Sequence, residues 1–468
     1  MKLIDIIEVF IAGDWGEETY SKETPCAVTC VRGADIIPIS EYDFSAIPVR
    51  YINQQAYAKK CLQVGDIIIE KSGDSPTQST GRVSLVSQEL LDHAGAVICS
   101  NFCTAFRVKK GWNPLYVYYY LQFIYNLGAF FNFEGKTSGI KNLQLDAAFA
   151  AIPIEDISES IQNNIVAILQ GLERKIAINR QINQNLEAMA KQLYDYWFVQ
   201  FDFPNEEGKP YKSSGGEMVW NEKLKREIPK EWEIRPLNSL ITVKDGTHES
   251  PKQQLEGRYL ITSKHLLSSG IDYNTAYYIS AEDYIAINKR SQVETNDILF
   301  SMIGTIGNKY LVAEKNVNFA IKNMALLKTS KSMHIMYFLW LYLSSWDYKH
   351  YEFNAISGSI QKFLSLDAMR NIPVPFNYDI AVAFNKQVSN ICQCIINLKE
   401  ENIQLIKQRN ELLPLLMNGQ VSVNSDLSVY KKRRGKVPSL ILNDVSDIQV
   451  LHRQSIIVLV KDSSIDEL

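Results

Sequence analysis

The stretch TSGIKNLQLDAAFAAIPI, residues 137–154, decides how this sequence is organised, because it returns later in the chain. Its second copy is ISGSIQKFLSLDAMRNIPVP, residues 356–375. The two copies share Ser-Gly, Leu-Asp-Ala and Ile-Pro in that order, with one-residue slips between them. An internal repeat with a period of about 220 residues indicates two equivalent structural units.

The letters Gly135-Lys136-Thr137 match the end of a phosphate-binding loop. The full motif, G-x-x-x-x-G-K-[ST], needs a glycine five residues before Gly135. That position is Phe130, and the second copy of the repeat has no Gly-Lys-Thr at all. A nucleotide site is therefore not expected here, and the shared feature is the Ser-Gly loop.

The repeat extends upstream of these two stretches. Residues 64–73 resemble residues 295–304, and both predict a short buried strand that runs into a glycine loop. Residues 81–86 resemble residues 307–312 in the same way. The aromatic runs PLYVYYYL and HIMYFLWLYL, which end at Leu121 and Leu343, predict largely buried helices.

A heptad pattern of apolar residues follows each Ile-Pro, and it predicts two coiled-coil helices of about 60 Å. Isolated polar residues interrupt the two seams, and Asn179 and Asn402 are the residues expected to set the register. The helices are expected to pair antiparallel and to carry the globular units at opposite ends of a rod. Pro414 is expected to end or kink the second helix, with Gly419 as a stop signal. The predicted seam residues are Ile165, Ile168, Leu172, Lys175, Asn179, Ile182, Leu186, Met189 and Leu193 in the first helix, and Val388, Ile391, Ile395, Leu398, Asn402, Leu405, Arg409, Leu412 and Leu416 in the second.

The predicted fold class is mixed α/β, with an internal pseudo-twofold between two similar α/β domains joined by two long antiparallel helices. A segment rich in Pro, Gly, Ser and charge predicts a linker between the halves. The last segment carries the basic run at residues 431–434 and is expected to be a tail. The predicted boundaries are 1–155 for the first domain, 156–200 for the first helix, 201–227 for the linker, 228–376 for the second domain, 377–420 for the second helix and 421–468 for the tail.

Composition excludes some classes of protein. The chain has 468 residues and a net charge of −3, so it has no overall basic signature of a simple DNA-coating protein. Its start lacks the features of a signal peptide, and no apolar run approaches the length of a membrane span. A cytoplasmic protein is expected. Seven cysteines is an odd number, which differs from the even count of a secreted disulfide framework. The spacing of Cys26/Cys30 and Cys99/Cys103, with Cys61, leaves either zinc ligation or buried thiols open.

With these motifs assembled, the chain resembles the specificity subunit of a type I restriction-modification system. The resemblance covers roughly residues 1 to 421, and the order of short motifs, found twice, carries it. The tail departs from the usual ending of the family. The residues concerned are GDWG at 13–16, VRGADI at 31–36, IPKEWEIRPL at 228–237, DGTHESP at 245–251, both repeat stretches and LLPLLMNGQV at 412–421.

The resemblance implies that each globular unit is a target recognition domain that reads one half of a split DNA sequence. It implies that the paired helices set the spacing and dock two modification (methyltransferase) subunits, and that restriction (nuclease/translocase) subunits join them. The chain itself is then non-catalytic and holds no cofactor or metal. S-adenosylmethionine, ATP and Mg²⁺ are expected in the partner subunits.

Sequence reading of DNA needs donors and acceptors on loops for the base edges and cations for the phosphates. For each residue below, an ordinary solvated surface role is the alternative. The candidates in the first unit are Lys71, Ser72, Arg82, Lys136, Thr137, Ser138 and Lys141, and those in the second are Thr247, His248, Ser263, Lys264, His265, Lys309, Ser359, Gln361 and Lys362.

Two other functions remain open from the sequence. A self-contained adenine methyltransferase would need an Asn-Pro-Pro-aromatic type of motif, and residues 113–116, NPLY, are one residue from it. Leu115 replaces the second proline, and no glycine-rich cofactor loop precedes it. A coiled-coil adaptor without sequence readout is the other alternative, although the two globular parts differ far more than the helices do.

Overall fold

The computed structural model describes residues 1–73, 78–137, 140–267, 270–273, 275–358, 362–423, 439–442 and 456–460. The chain divides into two compact units. Unit 1 comprises Met1–Ala177 and Leu405–Leu468, and unit 2 comprises Ile178–Gln404. Both long helices contribute residues to both units.

Unit 1 begins with a run of short strands and helices that leads into the first long helix. The elements are β1 (Ile7–Ala12), β2 (Cys26–Val31), α1 (Ile36–Ser40), β3 (Val49–Ile52), α2 (Gln54–Lys60), β4 (Ile67–Glu70), β5 (Ser72–Gly73), β6 (Val83–Leu85), α3 (Gln88–Ala94), β7 (Val97–Cys99), β8 (Cys103–Val108), α4 (Pro114–Asn126), β9 (Glu134–Thr137), β10 (Ile140–Leu143), α5 (Leu145–Ala151) and α6 (Glu159–Tyr194).

Unit 2 continues from α6 through a π-helical turn, Asp195–Val199. Its further elements are β11 (Met218–Asn221), β12 (Arg226–Pro229), β13 (Glu233–Pro236), α7 (Leu237–Leu240), β14 (Val243–Asp245), β15 (Arg258–Thr262), β16 (Leu266–Leu267), β17 (Gly270–Ile271), β18 (Tyr277–Ile279), α8 (Ala281–Ser291), β19 (Ile298–Ser301), β20 (Lys309–Leu311), β21 (Phe319–Lys322), β22 (Met324–Leu327), α9 (Met336–Tyr342), α10 (Trp346–Ala355), α11 (Leu366–Arg370), β23 (Pro373–Phe376) and α12 (Tyr378–Met417).

The two units repeat one sheet topology. Unit 1 has a four-stranded antiparallel sheet in the order β1-β8-β4-β6, and unit 2 has β14-β22-β19-β20. A second sheet has the order β3-β2-β7 in unit 1 and β18-β15-β21 in unit 2. In both second sheets the first pair is antiparallel and the second pair is parallel. The internal repeat predicted from scattered sequence anchors is therefore confirmed as a repeat of strand order and direction.

The repeat stretch has a mechanical explanation in this topology. Its Leu-Asp-Ala forms the short helix α5 in unit 1 and α11 in unit 2. The Ile-Pro that follows brings the chain back to the first residues of the globular part, where the amide of Leu3 donates to the carbonyl of Ile152 at 3.1 Å. In unit 2 the amide of Leu237 donates to the carbonyl of Ile372 at 3.0 Å. The stretch thus closes each globular part just before its long helix begins.

The predicted buried strands and aromatic helices are also confirmed. All four residues of β4 and of β19 are buried. Helix α4 buries residues on every side, and α9 does the same. Asn113 starts α4, because its side chain accepts a hydrogen bond from the Leu115 amide at 2.9 Å and Pro114 occupies the first turn. These helices pack on the four-stranded sheets and form the main core of each unit.

The long helices pair antiparallel within unit 2, as predicted. Asn179 of α6 lies beside Asn402 of α12, whereas Tyr194, later in α6, lies beside Phe384, earlier in α12. Apolar residues of both helices continue into the core of unit 2 through Ala190 and Val388.

At some of the predicted seam positions of α6, the buried residue is the next one along the chain. Ile182 and Met189 are 40% and 53% exposed, and the buried residues are Asn183 and Ala190 instead. Ile176 is buried next to the exposed Lys175 in the same way. A helix advances 3.6 rather than 3.5 residues per turn, so an apolar pattern alone allows two neighbouring strips. Packing selected the strip with the smaller side chains.

Helix α12 does not end at Pro414. The helix continues to Met417, and the Asn418 amide donates to the Pro414 carbonyl at 3.1 Å. Proline sits in the last turn, where the helix is about to end, and Gly419 follows with a left-handed φ of 69°. The predicted stop is confirmed at the glycine and was placed too early at the proline.

The segment predicted as a linker has structure of its own. Strands β11 and β12 form an antiparallel hairpin within it. Phe201 and Phe203 are buried and pack on Trp232, the Phe201 ring edge-on and the Phe203 ring stacked. Composition did not reveal these two buried aromatic residues, because the segment around them is rich in Pro, Gly and Ser.

Three short strands follow α12, β24 (Val421–Val423), β25 (Ser439–Leu442) and β26 (Ile456–Val460), paired parallel in the order β24-β26-β25. The basic run at residues 431–434 lies outside the described residues. Among the described helices, none is both long and apolar enough to cross a membrane.

Candidate nucleic-acid interface

A tightly held loop follows the first strand of unit 1, at residues 13–18. A Cβ on Gly13 would lie 1.9 Å from the Ser100 carbonyl oxygen, so only glycine fits. The Asp14 amide donates to the Cys99 carbonyl at 2.8 Å, and Lys60 donates to the Asp14 carboxylate at 2.8 Å. Burial acts to raise the pKa of Asp14, but hydrogen bonds from Lys60 and the Gly16 amide outweigh it, and the pKa is lowered. The carboxylate therefore stays charged and fixes the loop.

This loop presents an aromatic ring, on which a largely buried arginine of strand β3 packs. The Arg50 guanidinium lies 4.3 Å from the centre of the Trp15 ring, within the range of a cation–π contact. Arg50 also pairs with the exposed carboxylate of Glu18 at 2.9 Å. The face of an indole and a guanidinium plane are both surfaces on which bases and sugar-phosphate groups pack.

The equivalent loop of unit 2 follows β14, at residues 246–251. A Cβ on Gly246 would lie 2.6 Å from the Ile321 carbonyl oxygen. The Thr247 amide donates to that same carbonyl at 3.0 Å. The backbone frame matches the one around Gly13, so His248 occupies the place that Trp15 holds in unit 1.

His248 is held from both sides while most of its ring faces solvent. Nδ1 lies 2.9 Å from Oδ1 of Asn323, and Nε2 lies 3.0 Å from Oδ2 of Asp245. The side chain is 65% exposed. Arg290, at the end of α8, contacts the other oxygen of Asp245, as Lys60 at the end of α2 contacts Asp14. Burial acts to raise the pKa of Asp245, but the bonds from Arg290 and His248 lower it overall.

The structure brings several predicted residues of unit 1 to one small sheet, β5-β10-β9. Lys141 pairs across the sheet with Gly73 and with Lys136. Ser72 donates to Asn142 at 2.6 Å, and the neighbouring Lys71 lies half-buried. The Lys136 and Thr137 backbones belong to strand β9 rather than to a loop before a helix, and Ser138 lies outside the described residues.

Two of the predicted cations in unit 1 already have internal partners. Arg82 makes a two-bond ion pair with the buried Glu70, at 2.6 and 2.8 Å. Lys141 is buried, donates to the Gln78 carbonyl at 3.0 Å and lies 3.9 Å from Glu134. These pairings could not be predicted from the sequence, because the partners are separated in the chain and meet only in the folded unit. Their predicted contact with DNA stays a prediction.

In unit 2 the predicted residues gather around Asn323. Ser263 donates to the Asn323 carbonyl at 2.9 Å, next to the His248 contact already described. Lys264 is exposed on the same turn. His265 is fully buried and accepts a hydrogen bond from the Thr262 amide at 3.0 Å. Burial, followed by the charge of Lys264, lowers the pKa of His265.

The remaining predicted residues of unit 2 lie elsewhere or outside the described part. Lys309 packs against Trp340 and not against the residues around Asn323. Lys362 is exposed, and Ser359 and Gln361 lie outside the described residues. Asn179 donates to Asn402 at 3.0 Å and to Glu401 at 2.7 Å, so the two predicted register residues face each other.

Sequence reasoning missed the anchors of the two loops. Trp15, Arg50 and Lys60 were not selected in unit 1, nor were Arg290 and Asn323 in unit 2. A signal was present, since GDWG and DGTH stand at equivalent places in the repeat. Arg50, Lys60, Arg290 and Asn323 carry no local signal, because folding alone brings them to the loops.

The residues that resembled a methyltransferase motif have a structural role. Asn113 caps α4 with its oxygen, and its side-chain amide donates to Asn163 at 2.7 Å. The cysteines are free thiols, of which Cys30, Cys99, Cys103 and Cys392 are buried, Cys26 and Cys61 are half-buried and Cys394 is exposed. Burial raises the pKa of Cys30 and of Cys103 to about 12. Among the described residues, no cluster of three or more His, Cys, Asp or Glu side chains is placed to hold a metal ion.

The sequence matches the family model described as type I restriction modification DNA specificity domain, over residues 39–188 and again over 229–411. A relative, the type I restriction enzyme MjaIX specificity subunit of Methanocaldococcus jannaschii, is 25% identical over 272 residues. That alignment covers 56% of this chain and 59% of the relative, so the chain spans less than two thirds of the relative's length.

Two solved structures align with most of this chain. The S subunit of a type I restriction-modification system from M. genitalium aligns at 16% identity with a TM-score of 0.46, covering 89% of this chain and 95% of that one. The HsdS subunit from Thermoanaerobacter tengcongensis aligns at 15% identity with a TM-score of 0.31, covering 90% of this chain and 96% of that one.

Proposed function

The chain belongs to the type I restriction-modification DNA specificity family, and from this premise we propose that each of its units reads one half of a bipartite DNA target. The observation that carries the proposal is the pair of equivalent loops. In both loops a glycine packs against a backbone carbonyl and the next amide donates to a strand carbonyl, and this shared frame presents Trp15 in unit 1 and His248 in unit 2. A common frame with different exposed side chains is what two readers of different sequences require.

The two side chains offer different chemistry to DNA. Trp15, with Arg50 packed on its ring, offers an exposed indole, whereas His248 offers an exposed imidazole ring whose two nitrogens are held by Asn323 and Asp245. Both rings are surfaces on which bases can stack. Lys264 and Lys362 are exposed cations that suit phosphate oxygens. With a net charge of −3, the chain alone should bind DNA weakly and with strong dependence on salt.

The long helices suit the partner-binding part of the proposal. Two modification (methyltransferase) subunits would dock on them and supply S-adenosylmethionine-dependent adenine methylation. Restriction (nuclease/translocase) subunits would add ATP- and Mg²⁺-dependent cleavage. This chain contributes sequence choice and half-site spacing and performs no catalysis, and the assembled complex acts on DNA in the cytoplasm.

The test maps methylated adenines across the genome of cells that carry the modification subunit with this chain. We expect one split motif that disappears when the chain is absent. Trp15→Ala should change or relax one half of the motif, and His248→Ala should change the other half. Trp220→Ala and His334→Ala, which replace exposed residues of the same types outside the loops, are the matched controls and should leave the motif intact.

Three results would contradict the proposal. An unsplit motif would remove the two-reader division, and loss of specificity in the same half from both variants would remove the assignment of the loops. Methylation that does not depend on the chain would leave it as a coiled-coil adaptor.

A further inference from the structure

A cavity of about 410 Å³ lies within unit 2, beside the helix pair. Its walls come from the end of α6, from α12, from the turn that enters β20 and from the end of α9. Trp340, Leu341 and Ile395 provide much of its apolar lining. The volume falls in the range of small-molecule sites in proteins.

The charged groups on these walls are paired, with one exception. Lys399 of α12 pairs with Glu187 of α6 at 2.8 Å. Lys191 of α6 pairs with Asp195, the first residue of the π-helical turn. Lys309, at the start of β20, has no carboxylate within salt-bridge distance among the described residues. The wall therefore carries one cation without a balancing anion.

The Lys309 amine has room for further acceptors. It donates to the Trp340 carbonyl and lies 4.4 Å from the centre of the Trp340 ring. A protonated lysine has three N–H donors, so two of them have no acceptor among the described residues. An incoming oxygen anion would satisfy both donors and the charge.

The surroundings of this amine disfavour its charge. Burial is the largest cause, and the cations Lys399 and Lys349 add to it, while Glu187 opposes them. Together they lower the pKa of Lys309 to about 7. Burial raises the pKa of the nearby Cys392 thiol to about 12, so that thiol stays neutral and offers no counter-charge.

We propose that this cavity binds a small organic carboxylate with an apolar body, the carboxylate on Lys309 and the body against Trp340, Leu341 and Ile395. The ligand would bridge the helix pair and the sheet of unit 2, because its site is built from both. Binding would take up a proton near neutral pH, since the anion favours the charged amine. Above about pH 7, apparent affinity should fall by up to about tenfold per pH unit.

The test titrates the full-length chain with octanoate by calorimetry, at about pH 6 and about pH 8.5. We expect saturable binding that is tighter at the lower pH. At the higher pH it should be accompanied by proton uptake, seen as a heat that depends on the buffer's ionisation enthalpy, whereas at the lower pH the amine is already charged and little uptake is expected. Octanol, which has the same chain length without the charge, should bind much more weakly.

Three variants locate the site. Lys309→Met keeps the length of the side chain without its charge and should weaken octanoate binding about ten- to hundredfold. Ala188→Trp, at an exposed helix position on the cavity wall, should block binding even if Lys309→Met fails to fold. Lys289→Met, which removes an exposed lysine of α8, is the matched control and should bind like the native chain.

The proposal is overturned by an absence of saturable octanoate binding to the native chain. It is equally overturned if Ala188→Trp binds normally, if folded Lys309→Met binds normally, or if octanol binds as tightly as octanoate. None of these results bears on DNA reading by the loops, so the two proposals fail independently.

Discussion

Removing the charge of Arg107 should destabilise unit 1 strongly, because Arg107 neutralises a carboxylate that water cannot reach. Asp66 is 0% exposed and precedes strand β4. Arg107 on the neighbouring strand β8 donates to both of its oxygens, at 2.8 and 2.9 Å. In Arg107→Met the carboxylate keeps one amide donor, from Gln63 at 2.8 Å, and loses its counter-charge.

The magnitude follows from the cost of an uncompensated buried charge. Deleting one partner of a buried ion pair costs about 3–5 kcal/mol, and the remaining Gln63 bond points to the lower end. For a unit of this size, each kcal/mol moves the melting temperature by about 2–4 °C. We therefore expect a fall of at least about 6 °C in the transition of unit 1.

Removing the charge of Asp66 instead should destabilise unit 1 less, because the Arg107 side chain is 31% exposed and can turn to water. Asp66→Asn should cost about 1–2 kcal/mol, since the amide oxygen can still accept from Gln63. Differential scanning calorimetry of both variants, with Lys110→Met as an exposed-lysine control, measures the difference. A shift of Arg107→Met within about 1 °C of the control, or a larger loss from Asp66→Asn, would refute the reasoning.

Three further results are expected. Gly13→Ala should lower the melting temperature of unit 1, because the new Cβ would lie 1.9 Å from a carbonyl oxygen, whereas Gly171→Ala, with nothing within 4 Å on a helix, should stabilise by about 0.5–1 kcal/mol. Asn179→Leu should cost about 1 kcal/mol in chemical denaturation through the lost bond to Asn402, and a gain in stability would contradict that bond's contribution. Hydrogen bonds from Lys328, then Lys331, lower the pKa of Glu294 from 4.5 to about 2. Its contribution is therefore present above about pH 4.5 and lost as the pH falls towards 2, so Glu294→Gln should flatten the melting temperature over that interval.

The equivalence of the two units could be predicted because its signs are local. Ser-Gly, Leu-Asp-Ala and Ile-Pro recur in order, and each marks a turn, a short helix start or a return to the domain edge. The buried aspartate recurs too, since Asp297 receives a bond from Lys328 in unit 2 as Asp66 does from Arg107 in unit 1. The aspartates stood in the matched strand motifs, but their cations did not.

The candidate site divides in the same way. His248 stood in a recognisable motif and lies exposed on a loop, as expected. Arg82 and Lys141 were selected for their charge, but the fold directs them to Glu70 and to the Gln78 carbonyl. A cation's partner is a matter of distance in space, which residue spacing along the chain does not give.

By itself, the sequence determined the internal repeat, the two long helices and the family of the chain, because turn residues and apolar periodicity act within a few residues of the chain. The tertiary structure alone decided which strip of α6 is buried, where Asn183 and Ala190 replaced Ile182 and Met189. It alone placed Arg50 over Trp15 and left Lys309, on the wall of a cavity, with no carboxylate within salt-bridge distance among the described residues. These outcomes depend on close packing and on charges far apart in the chain, and both are set only when the whole unit has folded.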